Sequence, residues 1–272
     1  MKRTPTVVLA CLALTAGCAP ADDATRSASA KPNPTSAGAV GRAYLAPADL
    51  PDGMAILPPM PQAGSAELAR DHDGAARAIA IRGSARWALA TTDAELFTPT
   101  ATAAMACAAG RQIDAVVTPL TFKLLSRAAG DFSASTSTTK DHYRRARPFM
   151  ENGQPTCTPG AEAVLRKNGS YPSGHSAIGY GWGLVLAELI PSRTTVLVAR
   201  GRAFGDSRRV CNVHWLSDVE EGRVTATATF ARLQSNTDFL ADLAAARSEL
   251  ATAPAVPPKR DCAAEAAALS GA

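Results

Sequence analysis

The sequence predicts an all-α protein built as a single multi-helix bundle, and three observations carry that expectation. Aromatic residues make up only 5% of the 272 residues while alanine dominates many stretches, a composition that favours helix over sheet. Apolar residues recur at helical spacing, and alternating strand patterns are scarce. At 46% hydrophobic and 19% charged, most of the chain can bury a core, which excludes wholesale disorder, collagen-like repeats and a polytopic membrane protein. The formal net charge of +4 is not gathered into one long basic run, so nucleic acid is not an expected partner. No internal repeat at a fixed period is visible.

In chain order, Lys2 and Arg3 precede a short apolar run, Val7 to Leu14, far below the ~20 residues needed to span a bilayer. Residues 1–21 therefore read as a secretory signal, placing the mature protein in the periplasm or anchored to the outer membrane on its periplasmic side. Two processing routes fit: a lipoprotein box ending before Cys18, which would be lipidated, or ordinary cleavage at Ala19-Pro20-Ala21. Residues 22–43, rich in Ser, Thr, Ala and Pro, read as a flexible tether, and 44–272 as the folded domain. Pro51, Pro58, Pro59 and Pro61 mark an extended lead-in. Helical patterns follow from Ser65, over Arg86 to Leu96, Pro99 to Ala109 and Pro119 to Ala129. Ser176 to Ile190 is the clearest helix, stopped by Pro191. Thr194 to Phe204, Trp215 to Ser235, Thr237 to Ala251 and a short helix near Ala263 to Leu269 complete eight to ten helices. Four cysteines, Cys107, Cys157, Cys211 and Cys262, fall in the domain, and an exported protein can oxidise them. Three pairings are open, with Cys157–Cys211 and Cys107–Cys262 favoured because the first ties two chemically loaded segments.

Three segments carry the chemistry. In Lys140-Asp-His-Tyr-Arg-Arg-Ala-Arg147-Pro148 the lysine and the last arginine are seven apart, which puts both on one face of a helix that Pro148 ends. In Asn168-Gly-Ser-Tyr-Pro-Ser-Gly-His175-Ser176, Ser173 and Gly174 fall at the start of the clearest helix, where bare N–H groups and the positive dipole end attract an anion. His175 points into the same space, and Gly179 and Gly183 form a small-residue stripe against which another helix can pack closely. In Ser207-Arg208-Arg-Val-Cys-Asn-Val-His214-Trp-Leu-Ser-Asp218 the carboxylate lies one helical turn from the imidazole. Such a carboxylate fixes the ring's tautomer and leaves its other nitrogen as a lone pair, the preparation a nucleophile needs.

Together these spacings resemble the phosphatidic acid phosphatase type 2 superfamily, whose pattern reads Lys-x6-Arg-Pro, Pro-Ser-Gly-His, then Ser-Arg-x5-His-x3-Asp. Every fixed position is present: Lys140, Arg147, Pro148, Pro172, Ser173, Gly174, His175, Ser207, Arg208, His214 and Asp218. The Gly169-to-His175 string is similar to the signature of the class A bacterial non-specific acid phosphatases, with Ser176 standing where that signature usually has Thr. The resemblance implies the superfamily's helical bundle and a metal- and cofactor-independent acid phosphatase acting on small phosphate monoesters such as nucleotides, sugar phosphates or aryl phosphates. It implies His214 as nucleophile, Asp218 as its orienting partner and His175 as general acid and base. Lys140, Arg147, Ser173, Gly174 and Arg208 then bind the phosphate. A vanadium haloperoxidase shares these motifs, and a non-enzymatic phosphate-binding module is the reading from another class.

The remaining polar residues read more plainly. Arg144 and Arg145 are expected at a solvated basic rim, His142 in a structural role, and Asp71-His72-Asp73 in a surface loop. Trp215 and Tyr171 flank the chemical segments.

Overall fold

The computed structural model describes residues 1–2, 42–96 and 98–270. Cys18 and nearly all of the expected signal and of the expected tether lie outside these residues. Thirteen α-helices follow one another, with no strand among the described residues. They are α1 (Gly53–Ile56), α2 (Ala66–Ala80), α3 (Ala85–Thr92), α4 (Ala106–Ala109), α5 (Pro119–Ala134), α6 (Ser137–Tyr143) and α7 (Pro148–Asn152). After these come α8 (Glu162–Leu165), α9 (Gly174–Leu189), α10 (Thr194–Val210), α11 (Leu216–Leu233), α12 (Thr237–Thr252) and α13 (Cys262–Ser270). The all-α expectation holds. The expected count of eight to ten is exceeded because α1, α4 and α8 are single turns of four residues. The stretch expected as one helix from Pro99 is a 3-10 turn at Ala101–Met105 running into α4.

The sequence sets the helix ends by ordinary means. Ser65, Ser84, Ser173 and Asn236 each cap a helix N-terminus by accepting the backbone N–H three positions on. Pro119 and Pro148 stand at first helical positions, where proline's missing N–H has no consequence.

Helix α9 is the centre of the bundle and packs against α5, α10, α11 and α12. Its Trp182 is buried among Phe132 of α5, Phe204 of α10 and the surrounding aliphatic side chains, and its indole N–H donates to Leu125 O at 2.9 Å. The glycine stripe works as the sequence suggests. A methyl group on Gly183 would lie 2.8 Å from Leu197 O, and one on Gly201 would lie 2.7 Å from Gly179 O, so α9 and α10 touch backbone to backbone. On another side of α9, a methyl group on Gly222 of α11 would lie 2.5 Å from Ser173 O. Three elements thus converge on the α9 N-terminus with no room for a side chain between them. Cys107 is joined to Cys262 and Cys157 to Cys211, with Cα separations of 5.4 and 4.8 Å, in the favoured pairing. The first bond ties α4 to α13, and the second ties the loop after α7 to the end of α10.

No described helix is long and apolar enough to cross a membrane.

Candidate active site

Helix α6 carries Lys140 in its last turn and ends at Arg144, whose left-handed φ of 43° turns the chain. Residues 145–147 then run outside any helix to Arg147, which precedes α7. Lys140 and Arg147 therefore do not share a helix face, and Pro148 starts a helix instead of ending one. The turn at Arg144 brings them together by another path. Lys140 Nζ donates to Gly169 O at 2.8 Å and Ser170 O at 3.3 Å. Arg147 donates from Nε to Leu165 O at 3.0 Å and from Nη1 to Val213 O at 2.9 Å. Both side chains cross-link the Asn168–Ser170 region, so the first and second segments form one wall.

Ser173 is buried, caps α9, and donates its backbone N–H to Asp218 O at 2.8 Å. Gly174 follows as the first helical residue, and a methyl group there would sit 3.9 Å from Lys140 Cε. The helix N-terminus thus opens toward the lysine, as an anion cradle requires. His175 lies in the same first turn, with Nε2 3.0 Å from Ala94 O. A carbonyl only accepts, so Nε2 carries the proton and Nδ1 is the other nitrogen.

The third segment leaves α10 at Val210 and reaches α11 at Leu216. His214 lies just before α11, not on it, and the N–H groups of Val213 and His214 both donate to Arg208 O. Asp218, at the third helical position, reaches back with Oδ2 to the Trp215 N–H at 2.9 Å and to His214 Nδ1 at 3.2 Å. The expected His–Asp contact is present, made across a helix N-terminus instead of along a helix. Arg147 Nη1 sits 2.9 Å from His214 Nε2. A guanidinium can only donate, so Nε2 bears the lone pair and Nδ1–H is given to Asp218.

The electrostatics are those of a desolvated cationic hole. Burial pushes Lys140 down to about 7, Arg147 down to about 10 and Arg208 down to about 9. Neighbouring arginine adds to the effect on Lys140 and Arg208. Arg208 is almost wholly buried, and its Nε and Nη1 have no partner among the described residues. Burial first, then the surrounding cations, holds both His175 and His214 well below the usual imidazole range. For Asp218 burial raises the carboxyl while Arg145 and the Trp215 N–H pull it back. Its oxygens accept from a guanidinium, an amide and an imidazole, partners that favour the carboxylate form.

Several residues differ from their sequence reading. Arg145 is no rim residue: it is buried, and its two nitrogens bridge Asp218 Oδ1 at 2.8 Å and Asp71 Oδ2 at 2.7 Å. The Asp71-His72-Asp73 stretch lies inside α2, not in a loop, and Asp71 is 1% exposed. Arg144 and His142 are exposed, the latter against Tyr143. Trp215 packs under Arg145, and Tyr171 reaches Pro58 O with its hydroxyl. Ser207 does not face the cradle. Its hydroxyl donates to Asp93 at 2.7 Å and accepts from Arg86, while Arg200 pairs with the same Asp93. Asp93 adjoins Ala94, so this buried network fixes the carbonyl that holds His175. Sequence reasoning missed Asp93, and it missed Asp71 as a site residue. In α2, Asp71 shares a helical stripe with the buried Gly74, Ala75 and Ala78. A carboxylate on an apolar stripe was the available signal.

A helix N-terminus, three buried cations and a carboxylate-oriented histidine meet in one helical bundle, an arrangement suited to holding an oxyanion. The chain belongs to the PAP2 superfamily, whose family pattern matches residues 119–237. It is similar to an acid phosphatase of Zymomonas mobilis, at 40% identity over 73% of this chain and 75% of that protein. A non-specific acid phosphatase of Salmonella typhimurium is 38% identical over 76% of this chain and 83% of its own. One from Providencia stuartii is 37% identical over 76% and 84%.

Proposed function

We propose that the chain is an exported acid phosphatase that hydrolyses small phosphate monoesters through a phosphohistidine on His214, without a metal ion. The acid phosphatase assignment follows from family membership and from several relatives carrying that name. The observation that carries the mechanism is the state of His214. Asp218 holds Nδ1–H, and Nε2 is left with its lone pair in a hole of fixed cations.

Lys140, Arg147, Arg208 and the Gly174 N–H receive the three non-bridging oxygens and stabilise the charge that spreads over them in the transition state. His214 Nε2 attacks phosphorus as the bond to the leaving oxygen breaks, and His175 gives that oxygen its proton. In the second half, His175 takes a proton from water, the water oxygen attacks phosphorus, and the P–N bond breaks to release phosphate. The cations press His175 toward neutrality in the empty hole. The bound dianion offsets them, so substrate brings the acid its proton, and turnover is favoured on the acidic side. The domain at 44–272, the tether at 22–43, and a signal ending near residue 21 or before a lipidated Cys18 complete a periplasmic enzyme, soluble or anchored.

The test is p-nitrophenyl phosphate hydrolysis with EDTA present, together with an alkaline denaturing quench of the enzyme during turnover. Wild type keeps its activity in EDTA and traps a base-stable, acid-labile phosphoryl group, and His214→Ala loses both. Retained turnover in His214→Ala would remove the covalent mechanism. Loss of wild-type activity in EDTA would remove the metal-free one.

A further inference from the structure

Behind the catalytic aspartate lies a buried pair of charges that the phosphate cradle does not use. Asp71 belongs to α2, 69 positions before Lys140 in the chain. Its Oδ1 accepts the Ser217 N–H at 2.8 Å, and its Oδ2 accepts the Ser217 hydroxyl at 2.6 Å and Arg145 Nη2 at 2.7 Å. Arg145 Nη1 in turn donates to Ser217 Oγ and to Asp218 Oδ1, both at 2.8 Å. All three charged side chains are at most 6% exposed, so none of this is screened by water. Asp218 therefore spends one oxygen on Arg145 and the other on His214 and the Trp215 N–H.

We propose that Arg145 and Asp71 are positioning residues for the reaction: Arg145, steered by Asp71, sets the orientation of Asp218 and the share of its negative charge that reaches His214. The proposal rests on the phosphohistidine reading above. Neither residue touches phosphate in that reading. The charges facing His214 are Lys140 from α6, Arg147 and Arg145 from the segment after it, Arg208 from α10, His175 from α9 and Asp218 from α11. Asp71 is the carboxylate that pairs with Arg145 from behind, while Asp141 faces Lys140, and Asp93 and Glu95 face Arg208. Asp71 draws on Arg145, so that Arg145 takes less from Asp218 than it would alone. Asp218 then keeps enough charge to stabilise the cationic ring that forms when Nε2 bonds to phosphorus.

Two variants separate charge from geometry. Asp71→Asn keeps the shape and removes the charge. With less negative charge behind it, His214 holds a proton less readily, so the acid limb of kcat/KM moves to lower pH. Arg145→Lys keeps the charge but cannot span two carboxylates. Its kcat falls while its pH limbs stay in place. In both, kcat per vanadate-binding site falls about ten- to a hundred-fold, the scale of one lost charge-assisted hydrogen bond, and the vanadate dissociation constant stays within about threefold of wild type. Counting active sites by vanadate removes any unfolded fraction from the comparison. Wild-type kcat in either variant, or an unmoved acid limb in Asp71→Asn, overturns the proposal. His214→Ala is measured alongside: if it stays active, the phosphohistidine reading has failed. If it is dead while Asp71→Asn and Arg145→Lys behave as wild type, only the positioning role has failed.

Discussion

Replacing Arg208 by methionine should make the empty protein more stable while removing its response to phosphate. Arg208 is 2% exposed, its Nε and Nη1 find no acceptor among the described residues, and burial beside Arg147 drives its guanidinium down to about 9. A buried polar group without a partner costs about 1–3 kcal/mol, and Met follows the same volume without a charge. Taking the lower half of that range, Arg208→Met gains about 1–2 kcal/mol. For a domain of this size that raises the melting temperature by about 2–8 °C. Phosphate separates the two proteins by the size of its effect. At a hundred times its dissociation constant a ligand adds about 2.7 kcal/mol to the native state, worth about 5–10 °C here. Wild type should show this rise at pH 5.5 in phosphate against chloride of equal ionic strength. Arg208→Met should show less than a third of it. The assay is thermal unfolding followed by circular dichroism, with phosphate hydrolysis recorded on the same samples. A variant that melts several degrees below wild type without phosphate, or that keeps the full phosphate shift, would refute the view of Arg208 as an unpaired charge waiting for an anion.

Two more outcomes follow from the same packing and charges. His175 and His214 have native pKa values depressed below the ordinary 6.5, so below that pH the unfolded chain binds protons that the native state refuses. Ligand-free stability is therefore complete above about pH 6.5 and declines toward pH 5, by up to about 1.4 kcal/mol per pH unit for each histidine; urea unfolding at stepped pH that shows no decline would contradict it. In Gly183→Ala the new methyl meets Leu197 O at 2.8 Å, so overpacking of about 1–3 kcal/mol outweighs the ~1 kcal/mol of helix propensity. A melting temperature above wild type would mean that α9 and α10 can separate freely.

What the sequence discloses depends on how far a residue's partner lies along the chain. The cradle was legible because its members sit in short segments whose spacing reports local geometry: Ser173 before a helix, or His214 four residues from Asp218. Even there the inferred backbone was wrong in two places. The seven-residue interval from Lys140 to Arg147 suits one helix face, yet Arg144 adopts a left-handed turn and the pair meets across it. The interval from His214 to Asp218 suits a helical turn, yet the histidine stands outside the helix. In both cases the contact survives because the tertiary environment rewards proximity of the side chains and not a particular path between them. Asp71 was illegible for another reason. Its partners Arg145 and Ser217 are 74 and 146 positions away, and no spacing rule spans such distances. The disulfide pairing was reachable because only three arrangements existed.

The contact between Arg147 and His214 couples recognition to reactivity. In the structure a single guanidinium nitrogen occupies the lone pair that the proposed mechanism turns on phosphorus. A molecule without strong acceptor oxygens has nothing to offer that arginine, and the imidazole stays covered. On the proposed mechanism, an oxyanion that draws the guanidinium onto itself bares the nitrogen by the same motion. On that mechanism Arg147 serves as an interlock: the nucleophile is exposed only after its target has arrived.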